Sequence, residues 1–219
     1  MSVYNQSISL VLERLNAIRI LPVLVLPSLR EGLKVCELLL QNGLPAAEIT
    51  FRTSSAAEII TAAAREFPEL LLGAGTILNQ EDLARARDAG ASFAVAPGLN
   101  PKVVAAAVAE AFPFAPGICT PSEIEQAVDL GCRLLKYFPA EAAGGSKLLK
   151  SLIAPYRHLD LRYLPTGGIN SDNALEYLIL PEVAAVGGTW LVKENDLKTG
   201  NWKQIAANIK AASALLASR

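Results

Sequence analysis

Eight short apolar runs recur along the chain at near-constant spacing, and a helical pattern fills the gap after each. The runs are ILPVLVL (20–26), AEITF (47–51), LLLGA (70–74), FAVA (93–96), FPFAP (112–116), LLKYF (134–138), LRYLP (161–165) and AAVGG (184–188). Their ends advance by 20 to 27 residues per unit. Each gap is too long for a hairpin turn and suits a helical crossover, so neighbouring strands are expected to be parallel. Eight such units predict an α/β fold: a single (β/α)₈ TIM barrel over 19–219 with an extra N-terminal helix over 1–18. An open doubly wound sheet is the alternative. It calls for a GxGxxG turn after the first strand, and residues 26–32 read LPSLREG. No step leaves room for a second domain, so 1–219 is expected to be one domain.

Composition narrows the function classes. Apolar residues make up 52% and charged residues 19%, which suits a chain with a large core. With 20 basic and 21 acidic residues, scattered rather than clustered, no nucleic-acid or membrane-surface partner is expected. The first 18 residues read as an amphipathic helix carrying Glu13 and Arg14, not as a signal peptide or a membrane span. Cys36, Cys119 and Cys132 form no CxxC pair, and reduced cysteines suit a cytoplasmic protein. The single histidine, His158, argues against zinc or non-haem iron, which usually take two or more His ligands, so no metal is expected. His158 itself lies in the polar stretch PYRHLD and is expected at the surface.

In such barrels the active site forms at the C-terminal strand ends, and there the unusual residues collect. The second run closes with Glu48, Thr50 and Arg52, the third with Gly73-Ala74-Gly75-Thr76, and the fourth with Pro97-Gly98. The sixth carries Lys136 and Phe138, the seventh leads to Thr166-Gly167-Gly168, and the eighth to Gly187-Gly188-Thr189. Of nine lysines only Lys136 sits inside an apolar run. Strand residues alternate faces, so Leu134, Lys136 and Phe138 share one face and Leu135 and Tyr137 the other. If the second face packs on helices, Lys136 points inward, where burial favours the neutral amine that attacks a carbonyl. A structural ion pair is the competing reading. The same parity groups Glu48, Thr50 and Arg52, so Glu48 could shuttle protons beside the lysine or simply pair with Arg52. The two GG pairs after runs seven and eight read as a phosphate cradle, because backbone N–H groups at those loops commonly bind phosphate in barrels. Gly144-Gly145 reads as a turn.

Seven motifs in order extend this reading: AEITFRT (47–53), GAGTIL (73–78), APGLNP (96–101), PGICTPSE (116–123), KYFPAEAAGG (136–145), PTGGI (165–169) and VGGTWLV (186–192). Over about Ile20 to Trp202 the chain resembles the 2-keto-3-deoxy-6-phosphogluconate (KDPG) aldolases, including those that also cleave 4-hydroxy-2-oxoglutarate (KHG). The resemblance implies a metal-free class I aldolase that needs no cofactor beyond a covalent imine on Lys136. KDPG would be split to pyruvate and glyceraldehyde 3-phosphate, and KHG to pyruvate and glyoxylate. It places Glu48 as the acid/base, Arg52 and Thr76 on the substrate, and Thr76 near the pyruvate carboxylate. Pro97 and Phe138 become pocket walls, and Gly167, Gly168, Gly188 and Thr189 line the phosphate loops, with the Thr166 hydroxyl near the distal end. It also implies a homotrimer acting on a small keto acid.

Four positions depart from the common pattern: Cys119 and Thr189 stand where serine is common, Tyr137 where phenylalanine is, and Ala143 where asparagine is. The galactonate-derived epimer as substrate and a non-catalytic sugar-phosphate-binding barrel remain alternatives. A metal-dependent epimerase is disfavoured by the single histidine.

Overall fold

The computed structural model describes residues 2–217. It contains nine short strands: β1 (Ile20–Leu24), β2 (Ala46–Thr50), β3 (Leu71–Gly75), β4 (Phe93–Val95), β5 (Phe114–Ala115), β6 (Gly117–Ile118), β7 (Leu134–Tyr137), β8 (Arg162–Tyr163) and β9 (Val186–Gly188). Every pairing between them is parallel. The helices are α1 (Val3–Ile18), α2 (Leu29–Gln41), α3 (Ala56–Glu66), α4 (Gln80–Asp88), α5 (Pro101–Ala109), α6 (Pro121–Asp129), α7 (Ala140–Ala143), α8 (Gly145–Ile153), α9 (Ala174–Leu178), α10 (Glu194–Lys198) and α11 (Trp202–Ala217). The eight expected runs and the helices between them thus reappear close to their expected bounds.

The strands form a six-stranded sheet, ordered β5-β4-β3-β2-β1-β9, and a three-stranded sheet, β6-β7-β8. The expected fifth strand is divided into β5 and β6 by Pro116, which has no N–H to give to a ladder. At the other junction single bridges join Tyr163 to Val183 and Thr166 to Gly187. The Gly187 N–H donates to Pro165 O at 2.8 Å. The sequence also gave no warning of α7, α10 and a 3-10 turn over Ala154–Leu159, all too short to show a period.

Local chemistry explains where the helices begin. Ser28, Asn79, Asn100 and Thr120 cap α2, α4, α5 and α6, each accepting from a backbone N–H of the first turn. Thr120 and Glu123 complete a capping box, and Pro101 and Pro121 open their helices without losing a bond. The helices then bury one stripe against the sheets, as Val35, Cys36, Leu38 and Leu39 do in α2. In α1 the buried stripe is Tyr4, Ile8, Val11, Leu15 and Ile18. Tyr4 donates to Phe114 O, Ser7 to Ala111 O and Arg14 to Glu69 O. These acceptors lie where the chain enters β5 and β3. The N-terminal helix therefore covers the end of the large sheet opposite the one carrying Arg52, Thr76 and Pro97.

Candidate active site

Register sets the row in which the chemistry stands. Val23, Glu48, Gly73 and Phe93 are lateral partners across β1 to β4, and Lys136 is the partner of Gly117 across β6 and β7. Glu48 and Lys136 come from different sheets and meet in the interior. Lys136 Nζ lies 3.0 Å from Glu48 Oε1 and 3.4 Å from Oε2. Their side chains are 6% and 1% exposed, so each charge depends on the other in place of water. The ammonium also stands 5.8 Å from the centre of the Phe138 ring. A pair at this distance can pass a proton from the ammonium to the carboxylate, the chemistry that an attack on a carbonyl would need.

Glycines make room for this pair. A Cβ at Gly75 would collide with Glu48 Oε1, and one at Gly117 would collide with the backbone carbonyl of Pro97. A Cβ at Gly73 would meet the Phe93 ring, and one at Gly187 the Thr166 hydroxyl. The strand glycines thus act as flat floors for the side chains of neighbouring strands.

Around Glu48 and Lys136 opens a cavity of about 390 Å³. All eleven residues singled out from the sequence line it: Glu48, Arg52, Thr76, Pro97, Lys136, Phe138, Thr166, Gly167, Gly168, Gly188 and Thr189. Val23, Thr50, Ile169 and Asn170 complete the wall. Sequence reasoning passed over Val23, Ile169 and Asn170, although Val23 follows from the register that pairs it with Glu48. Thr50 spends its hydroxyl on Leu24 O at 2.9 Å. Tyr137, on the opposite strand face, is fully buried and does not line the cavity. Burial raises its phenol to about 12.

Of the two readings of Glu48, the pair with Arg52 does not form: Glu48 takes Lys136, and the Arg52 guanidinium has no ion pair among the described residues. Gly187 is also not part of an anion cradle, because its N–H is engaged with Pro165 O. The N–H groups of Gly167, Gly168 and Thr189 have no protein acceptor among the described residues. Gly167 and Gly168 stand at φ 104° and 77°, in the left-handed region. Their loop is held from behind. Glu141 N–H donates to Gly167 O at 3.0 Å, Asn173 Nδ2 donates to Gly168 O at 3.1 Å, and the Glu141 side chain packs on Gly168 and accepts from the Tyr177 hydroxyl. Thr76 is the one non-glycine of the cavity with positive φ, at 62°. For a β-branched residue this is a costly conformation, of the kind held only where the surroundings fix it.

Among the described residues no group of three or more His, Cys, Asp or Glu is placed to hold a metal ion. His158 is exposed, and all three cysteines are free. Among the described residues no helix is long and apolar enough to cross a membrane.

Comparison with known proteins gives the chain its family. Residues 11–208 match the family described as KDPG and KHG aldolase. A 2-dehydro-3-deoxy-phosphogluconate aldolase of Haemophilus influenzae is 40% identical over 200 residues, 91% of this chain and 93% of the relative. A KHG/KDPG aldolase of Escherichia coli K12 is 40% identical over 186 residues, 85% of this chain and 86% of its own. Among solved structures, a KDPG aldolase of Legionella pneumophila with pyruvate captured as a covalent carbinolamine superposes with a TM-score of 0.85 at 35% identity. It covers 90% of this chain and 97% of its own. The chain therefore belongs to the KDPG and KHG aldolase family.

Proposed function

We propose that this chain is a class I aldolase that cleaves KDPG to pyruvate and glyceraldehyde 3-phosphate through an imine on Lys136. The observation that carries the reading is the buried Glu48–Lys136 pair at 3.0 Å, opening on a cavity whose far wall presents unengaged N–H groups. Glu48 takes a proton from the ammonium, and the free amine attacks the C2 ketone. Glu48 returns the proton to the carbinolamine hydroxyl, which leaves as water. The iminium draws the electrons of the C3–C4 bond as Glu48 accepts the C4 hydroxyl proton, and the aldehyde departs. The enamine is reprotonated at C3, and water hydrolyses the imine to free pyruvate and Lys136. Thr76 and Arg52 hold the carboxylate so that C2 meets the nitrogen, and Pro97 and Phe138 wall the pyruvate half. Gly167, Gly168, Gly188, Thr189 and the Thr166 hydroxyl receive the phosphate end.

KHG cleavage is a second reading, supported by the relatives that carry both names. Only the pyruvate half of the site is needed for it. No cofactor is proposed beyond the covalent imine.

The two sheets are proposed as arcs of one closed (β/α)₈ barrel forming one domain. The support is that β5 and β6 adjoin across Pro116 and that the Thr166–Gly187 bridge spans the other gap. A homotrimer is proposed from the family, with exposed Leu78, Leu175 and Ile179 as apolar surface that an interface would cover. Sedimentation velocity tests it. The three free cysteines suit a reducing cytoplasm.

Incubation with pyruvate and borohydride, followed by digestion and mass spectrometry, tests the chemistry. A reduced pyruvyl adduct on Lys136 is expected. A folded protein that gives no adduct overturns the lysine mechanism.

A further inference from the structure

A second cavity, of about 710 Å³, adjoins the first and shares Val23, Arg52 and Thr189 with it. Its chemistry is unlike that of the catalytic pocket. One wall is apolar, formed by Trp190, Val25 and Leu197 among others. Trp190 is fixed there because its ring lies against Gly188, leaving no room for a Cβ. The charged groups are Arg52, Lys193, Lys198 and Glu194. Glu194 is tied to Lys198 at 2.5 Å, so those two charges offset each other. Neither the Arg52 nor the Lys193 side chain has a hydrogen-bond or ion-pair partner among the described residues. With Arg52 given to the pyruvate carboxylate, Lys193 remains as an unengaged cation beside an indole wall, next to the reacting centre, and suits an extended chain ending in an anion.

We propose that this chamber is an acceptor subsite for aldehydes whose carboxylate or phosphate stands beyond the reach of the Gly167-Gly168 and Gly188-Thr189 loops. The proposal rests on the aldolase reading above. The tail lies along Trp190, and its anion is held by Lys193. In the bond-forming direction the Lys136 enamine carbon attacks the aldehyde carbon, and the carbonyl oxygen takes a proton from Glu48. Water then hydrolyses the iminium, releasing a 4-hydroxy-2-keto acid and restoring the lysine. The water consumed equals the water lost when the imine formed, so pyruvate and aldehyde give the product with nothing else required. The chain thereby takes a class of longer, dianionic keto acids in addition to the two named substrates.

The test compares pyruvate addition to 6-oxohexanoate and to its uncharged counterpart 6-hydroxyhexanal. The native chain is expected to favour the anionic aldehyde in kcat/KM by about tenfold, the scale of one partly exposed charge-assisted contact. Lys193→Gln is expected to bring the ratio close to one, and Lys193→Arg to keep most of it. A native ratio near one, a ratio that survives Lys193→Gln, or rejection of both aldehydes overturns the subsite. Exchange of the pyruvate methyl protons in deuterated water, followed by NMR, needs the imine but no acceptor. Its absence in the native chain would sink the aldolase reading, whereas its presence with an unchanged ratio would sink the chamber alone.

Discussion

The two sheets supply unlike halves of one site. The large sheet brings the carboxylate on β2, and at its strand ends Arg52, Thr76, Pro97 and Thr189. Its first three strands are five residues long and wholly buried. The small sheet brings the amine on β7 and the loop Thr166-Gly167-Gly168, from strands of two to four residues. Long ladders hold Glu48 in a fixed row, while the short strands turn early into loops whose N–H groups stay available. In the proposed mechanism, covalent chemistry thus falls to the small sheet and proton handling to the large one.

The sharpest way to break this division is Lys136→Ala. Loss of turnover by a factor on the order of 10⁴ or more is expected in a coupled lactate dehydrogenase assay, since no other residue supplies the nucleophile. Glu48→Gln keeps the shape and a hydrogen-bond partner. It should slow turnover by about 10² to 10⁴ while borohydride still traps some pyruvate on Lys136. If both variants lose trapping equally, the division of roles is wrong.

Glycine substitutions sharpen the contrast at smaller scale. Gly117→Ala meets backbone atoms of Pro97, which cannot step aside, and should cost about 1–3 kcal/mol in urea unfolding. Gly75→Ala meets the Glu48 side chain from Cγ to Oε1 and pushes the carboxylate off Lys136. It should cost both stability and activity. Gly98→Ala has no atom within 4 Å of the added carbon and no positive φ, so a change within about 0.5 kcal/mol is expected. Equal stability losses at all three would refute the account of strand glycines as floors.

The last prediction concerns pH. Burial pushes the Cys36 and Cys132 thiols up to about 12. Above pH 9 the unfolded chain releases protons that the native chain keeps, so stability should fall as pH rises from about 9 towards 12. The urea midpoint should decline over that range, and a disulfide reagent at pH 8 should label only the half-buried Cys119 in native protein.

Much of this was legible in the sequence because two periods carry it. Strand parity placed Lys136 and Glu48 inward and Tyr137 outward, and the spacing of apolar runs put their ends on one rim. What escaped depends on distance along the chain. Residues 88 apart in sequence share a hydrogen bond only once the sheets face each other, so the choice of Lys136 over Arg52 as the partner of Glu48 could not be read from one strand. The function of Gly187 was mistaken for the same reason. A glycine needed by a neighbour's hydroxyl looks, in sequence, like a glycine needed by an anion.

Thr76 has a consequence of its own. Its backbone stands in the left-handed region, so the fold holds the threonine in a posture that an unconstrained loop would rarely visit. Such a posture persists where the elements packed around it fix it, at a cost in backbone energy. A glycine there would relax the backbone and favour the native state, yet each encounter with pyruvate would then have to select the posture anew. If Thr76 holds the pyruvate carboxylate as proposed, the fold gives up some stability at this residue for a site arranged in advance.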